Sequence, residues 1–421
     1  MGFIDPEIGT TNSGRYFVMT IYAIVLLIFG LFQSSIEDIL KGLYRIIVEP
    51  DFLITDYIGV GGIGAAFVNS GLLTLISIYV LYWLNINITG SAISTVWLIS
   101  GFSFFGKNIF NVWFIIIGVV LYAVYQKDKI NKYIYIGLLG TCLAPMVTQI
   151  IFGMKGPKII SMPLGIVIGI GAGFILSPLS AYLMRMHQGF NLYNIGFTAG
   201  ILGTVIVSLF KSYGFLIESR IIWSSGNNRT LSLFLFLMFA SMMAIGLILD
   251  KGSIMKLKRI YSYPGRLVTD FVLLEGFSVT LVNMGVNGIL GVLYIIIIGG
   301  DLNGPTIGGI FTIAGFSSFG KHAKNMLPIF IGVYLGSITK IWNINDPSIQ
   351  LAALFGTTLA PLAGEFGWKI GILAGFLHSS VVLNVSDLHA GFNLYNNGFA
   401  GGIVAAVLVP IIEAFRKDET K

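Results

Sequence analysis

Charge is what this 421-residue sequence has least of: Asp, Glu, Lys and Arg make up 10% of it, against a hydrophobic share of 55%. Soluble domains carry about a quarter charged residues, so a soluble globular fold is excluded. Ten-residue segments alternating between apolar and polar side chains are missing too, which argues against an outer-membrane barrel. The one cysteine, Cys142, lies inside an apolar run. It rules out an intrachain disulfide and is expected to be a packed thiol. There is no Cys-x-x-Cys, no His-Glu-x-x-His and no acidic cluster with ligand spacing, so neither a metal nor a cofactor is expected. No Walker loop or nucleophile elbow is present, so ATP-driven pumping and serine hydrolysis lack support and the chain is not expected to be an enzyme. The stretch Met1 to Arg15 lacks the basic start and small-residue exit of a cleaved signal, so the first helix is expected to be retained.

What the sequence does have is a succession of apolar runs, such as Tyr16 to Gln33, Ile159 to Leu183 and Leu231 to Leu249. Several approach the ~20 residues of a spanning helix. The expected class is an all-α polytopic membrane protein, with the bilayer as its first partner. The net charge of +6 sits in the loops and reads as membrane orientation, with no nucleic acid as partner.

Sliding the sequence against itself by 214 positions aligns Leu43 to Gly118 with Leu257 to Gly332 without a gap, and eleven of the thirty pairs from Leu43 to Leu72 are identical. Pro50 meets Pro264, Thr55-Asp56 meets Thr269-Asp270, and Asn69 meets Asn283. Gly101-Phe-Ser-Phe-Phe-Gly-Lys107 meets Gly315-Phe-Ser-Ser-Phe-Gly-Lys321, and later Gly140-Thr-Cys-Leu-Ala-Pro145 meets Gly356-Thr-Thr-Leu-Ala-Pro361. The expected division is a tail over 1–15, a first membrane repeat over 16–217, a linker over 218–229, a second repeat over 230–415 and a tail over 416–421.

Equivalent loops differ in charge in opposite senses. Lys127 to Lys132 holds three lysines where its counterpart Lys340 to Asp346 holds one, while Lys251 to Arg266 holds five basic residues where Ile36 to Asp51 holds two against four acids. Basic loops face the cytoplasm, so the halves are expected to be inverted, with both termini cytoplasmic in a cell-membrane protein. Glycines at 59 to 64, Asn303-Gly-Pro305 and the Leu-Ala-Pro turns point to broken or re-entrant helices at matched positions. Such breaks mark a central pathway in inverted-repeat transporters.

Two copies of one short motif stand out, His187-Gln-Gly-Phe-Asn-Leu-Tyr-Asn194 and His389-Ala-Gly-Phe-Asn-Leu-Tyr-Asn396. Taken as helical, Asn191 and Asn194, and likewise Asn393 and Asn396, share a face with Tyr193 or Tyr395 nearby. That face suits a small polar solute or, equally, interhelical hydrogen bonds. Asn69 and Asn283, at the start of apolar helices, read as path residues or as helix caps. Candidates for proton or cation coupling are His187, His389, Glu275, Glu365 and Asp387. The acids have Gly61, Gln149 and Arg185 as counterparts, and Arg185 and Asp387 are a candidate pair. Lys107 and Lys321 are candidates for contact with an anion or a lipid headgroup.

Asp56, the glycines at 59 to 64 and Phe67-Val-Asn-Ser-Gly-Leu-Leu73, with Gly189 to Gly200 and Gly391 to Gly402, resemble in part the urea transporters. The resemblance implies inverted halves and a homo-oligomer, a trimer or dimer with one pore per subunit. The whole chain resembles an uncharacterised family of bacterial multi-pass membrane proteins marked by Gly-Phe-Asn-Leu-Tyr-Asn, which implies no activity. The expected function is a channel or transporter for a small polar solute. A proton- or sodium-coupled secondary transporter is the alternative, and a membrane enzyme or scaffold the alternative of another class.

Overall fold

A computed structural model describes residues 10–154, 156–215 and 220–416. Of the expected tails and linker, 1–9, 218–219 and 417–421 lie outside the described residues. The first half runs α1 (Asn12–Gln33), α2 (Ile36–Val48), β1 (Ile54–Thr55), α3 (Tyr57–Gly61), α4 (Ile63–Trp83), α5 (Gly90–Phe102), α6 (Val112–Tyr125), α7 (Ile134–Gly140), α8 (Ala144–Thr148), α9 (Lys158–Leu183) and α10 (Asn194–Ser212). After β2 (Ile221–Ile222) the second half repeats that order: α11 (Asn228–Leu249), α12 (Ser253–Ile260), α13 (Phe271–Leu274), α14 (Phe277–Ile297), α15 (Gly304–Phe316), α16 (Ala323–Thr339), α17 (Pro347–Gly356), α18 (Ala360–Phe366), α19 (Trp368–Val385) and α20 (Asn396–Phe415). Ten helical stretches among the described residues are long and apolar enough to cross a membrane, so the chain is an all-α polytopic membrane protein. The first helix begins at Asn12, inside the expected tail, because Thr11 caps it by accepting from the Gly14 N–H.

The contacts fix the direction of each element. Tyr16 at the start of α1 donates to Ile86 O just beyond α4, while Gly30 near the end of α1 packs on Gly64, so the two helices are antiparallel. The chain then turns back through α5, and after α6 Asn131 donates to Leu84 O at 2.8 Å. The α5–α6 hairpin therefore enters and leaves at one end of the bundle. Its tip reaches the segment before α3, where Asn108 donates to Ile46 O and Asn111 to Asp51. The second half builds the same hairpin from α15 and α16, with Gly300 and Gln350 adjacent at its mouth and His322 bonded to Tyr263 O at its tip. An even-numbered hairpin among otherwise single passes leaves each half with an odd number of crossings.

That parity inverts the second half, and two latches show it. Asp56 accepts from the backbone of Gly304 at one end of the bundle, and Asp270 accepts from the backbone of Gly90 at the other. Between the latches α5 and α15 lie antiparallel: Gly101 packs on Gly308, and Gly315 on Trp97. The loops Lys127 to Lys132 and Lys251 to Arg266 fall at the same end as the start of α1 and the end of α20, hereafter the basic end. Arg185 and Asp387 consequently lie at opposite ends and do not pair; Arg185 stacks on Tyr182 instead.

Burial sorts the helices by role. Long exposed aliphatic and aromatic side chains line α1, α9 and α11, the outer helices, as a lipid-facing surface requires. The stretches Ile134–Gly153 and Pro347–Phe366 are 83% buried, and each bends at Pro145 or Pro361 through a 3-10 turn that re-satisfies the backbone. These broken helices and the two hairpins form the centre.

Candidate functional site

The two Gly-Phe-Asn-Leu-Tyr-Asn copies meet at the pseudo-twofold axis. A Cβ on Gly196 would lie 3.2 Å from the Gly398 Cα, and the reciprocal distance is the same. Across this contact Asn191 Nδ2 donates to Gly398 O at 2.9 Å, and Asn393 Nδ2 donates to Gly196 O at 2.9 Å. The shared helical face expected for Asn191 and Asn194 does not form, because α10 and α20 start only at Asn194 and Asn396. Gly189 and Gly391, with φ of +81° and +78°, turn each motif into an extended entry that lies against Leu267 or Leu53 of the other half. Asn194 and Asn396 are held within their own halves by His187 and His389, with Nε2 to Oδ1 distances of 3.0 and 2.9 Å. The amides and histidines thus bind the halves together and shape the breaks.

Cys142 stands where the other half has Thr358. The Thr358 hydroxyl donates to Asn191 Oδ1 at 2.6 Å, while on the Cys142 side only the backbone takes part, Leu394 N donating to Cys142 O at 3.0 Å. The lone thiol is a packed substitute for a hydroxyl and is fully buried.

The hairpin tips deliver the other half of the site. Asn69, inside α4 rather than at its start, donates from Nδ2 to Ser103 O at 2.7 Å and Lys107 O at 2.9 Å. Asn283 does the same to Ser317 O and Lys321 O, at 2.7 and 2.8 Å. The capping role falls to Asp56 and Asp270 instead. Each Asn clamps the turn that carries a lysine, and both lysines are 0% exposed, so neither reaches a headgroup layer. Lys107 Nζ donates to Tyr395 Oη at 2.7 Å, and Lys321 Nζ to Tyr193 Oη at 2.5 Å and Thr357 Oγ1 at 2.7 Å. Each Nζ lies 4.7 Å from the ring centre of its tyrosine and 5.4 Å from that of Phe102 or Phe316.

Two cavities approach this centre from opposite ends. One, about 190 Å³, is lined by Ser91, Tyr135, Leu139, Leu192, Tyr193, Asn194, Leu267, Phe319 and Tyr395. The other, about 60 Å³, is lined by Leu351, Phe355, Leu394, Asn396, Leu53 and Phe105, which are the repeat-equivalents of Tyr135, Leu139, Leu192, Asn194, Leu267 and Phe319. They are one vestibule made twice. Between them the centre is closed by rings: Phe102 is 4.4 Å from Tyr395, and Phe316 is 4.8 Å from Tyr193, centre to centre.

The acids lie elsewhere. Glu365 and Asp387 are exposed, and Glu275 accepts from the Tyr263 hydroxyl at 2.8 Å with Arg259 3.8 Å away at the basic end. Sequence reasoning missed the vestibule aromatics Phe105 and Phe319, although the doubled Gly-Phe-Ser-x-Phe-Gly-Lys carried that signal. It also missed His378, whose Nε2 lies 2.9 Å from Asn397 Oδ1, and Asp51, fully buried with donors from Tyr57, Thr148 and Asn111. Among the described residues no three His, Cys, Asp or Glu side chains come together as metal ligands.

The chain belongs to the family described as protein of unknown function DUF1576, which it matches over 35–212 and 249–414, one stretch in each half. No curated protein matches it. No solved structure matches it either.

Proposed function

We propose that this member of the DUF1576 family conducts a small polar solute across the cell membrane, along a route joining its two vestibules through the lysine–tyrosine centre. The observation that carries this reading is the duplicated vestibule: equivalent residues line a cavity at each end, the larger reaching Tyr193, Tyr395 and Phe316 and the smaller reaching Phe105 and Phe355, whose rings pack on Phe102. The partial resemblance to urea transporters favours the same class, and association of two or three copies belongs to this proposal. The basic end is assigned to the cytoplasm, with both termini.

Passive conduction is favoured over ion coupling, because none of Glu275, Glu365 and Asp387 joins the centre. The test is permeation of small solutes into proteoliposomes holding the full chain. Leu267→Trp and Leu53→Trp, each filling one vestibule, are expected to stop it while leaving a monodisperse protein. Permeation no faster than in protein-free liposomes, for every neutral and ionic solute tried, contradicts the reading.

A further inference from the structure

Lys107 and Lys321 are two amines buried at the centre of a membrane protein, and neither has a carboxylate partner. The ion pairs among the described residues all involve other groups. Burying an ammonium is costly unless something compensates it. Here the compensation is incomplete: one tyrosine hydroxyl each, one threonine hydroxyl for Lys321 alone, and the faces of two rings each. An arriving anion would favour the protonated form of both lysines, and a pair so charged excludes cations, as rings of basic side chains do in anion pores. Tyr193 and Tyr395, whose hydroxyls accept from the two lysines, both line the larger vestibule, so the lysine partners border its space.

We propose that the conducted solute is a small monovalent anion, such as chloride, nitrate or formate, which passes the centre between Lys107 and Lys321 with the Tyr193 and Tyr395 hydroxyls as donors. This rests on the conduction reading above and narrows it. The vestibules have room for only a few water-sized molecules, which limits the anion to a few heavy atoms.

The full chain in liposomes is loaded with potassium gluconate, valinomycin is added, and influx of chloride, nitrate and formate is followed beside the osmotic entry of urea and glycerol. At least one of the three anions is expected to enter tenfold or more faster than in protein-free liposomes, and Lys107→Met and Lys321→Met are each expected to lower that rate at least tenfold. Urea or glycerol entry without anion entry overturns the anion assignment and leaves conduction standing. Entry of none of the five overturns conduction itself. Anion flux unchanged in both lysine variants also overturns the assignment. Binding is read separately in detergent, where replacing gluconate with nitrate is expected to raise the unfolding temperature of the wild type, by mass action, and not that of Tyr193→Phe/Tyr395→Phe. An equal rise in both, or none in either, counts against the site even if the lysine variants fail to fold.

Discussion

Asp56 accepts a hydrogen bond at 3.0 Å from the backbone N–H of Gly304, 248 positions along the chain. The same carboxylate caps α3 through Ile58 N and accepts from Ser224 N, so one side chain starts a helix in each half and ties down the crossover between them. At the opposite end Asp270 holds Gly90, Val272 and Leu273 in the same way.

Removing the first latch leaves three backbone donors without their acceptor, each worth about 1–3 kcal/mol when buried. Asp56→Ala is therefore expected to lower the unfolding temperature of the detergent-solubilised protein clearly, and Asp56→Asn, which keeps one acceptor oxygen, to lower it less. Asp387→Ala, at an exposed side chain, is the control and is expected to stay within about 0.5 kcal/mol of wild type.

The clamps on the lysine turns come next. Asn69→Leu and Asn283→Leu each strip two carbonyls of a donor, and are expected to cost about 1–3 kcal/mol. They should also lower flux by at least as much as the matching lysine variant, because the turn no longer holds Nζ beside its tyrosine. Full flux in a protein destabilised by that amount means that the turn geometry does not govern conduction.

Where α10 crosses α20, space is the constraint. A Cβ on Gly200 would lie 2.2 Å from the Phe399 ring, and one on Gly402 2.2 Å from the Phe197 ring. Gly200→Ala and Gly402→Ala are expected to cost about 1–3 kcal/mol by overpacking, as measured by thermal unfolding. Gly171→Ala, which meets nothing within 4 Å, should not.

Much of the fold was legible because duplication leaves traces that survive in side-chain identity, and because the opposition of the two halves is written in loop charge. The opposite exchange of lysines between 127–132 and 340–346, and between 251–266 and 36–51, is enough to invert one half. The same inversion separates Arg185 from Asp387, which adjacency to matched motifs had suggested as partners. The site was less legible. Three-residue spacing read Asn191 and Asn194 as one helical face, but the positive φ at Gly189 and the cross-axis bond from Asn191 to Gly398 O keep the first of them out of α10. Lys107 and Lys321 follow a Phe-Gly step that looks like a helix end near an interface. Only the tertiary fold of the hairpins, clamped by Asn69 and Asn283, carries them inward.

The most direct test is sided labelling of single cysteines placed in the two vestibules, Leu267→Cys at the basic end and Leu53→Cys at the other. The native Cys142 is 0% exposed, which keeps the background low. With a membrane-impermeant thiol reagent, right-side-out vesicles are expected to label Leu53→Cys and inside-out vesicles Leu267→Cys. Labelling of both from the same side contradicts the inverted architecture and, with it, a route between the vestibules.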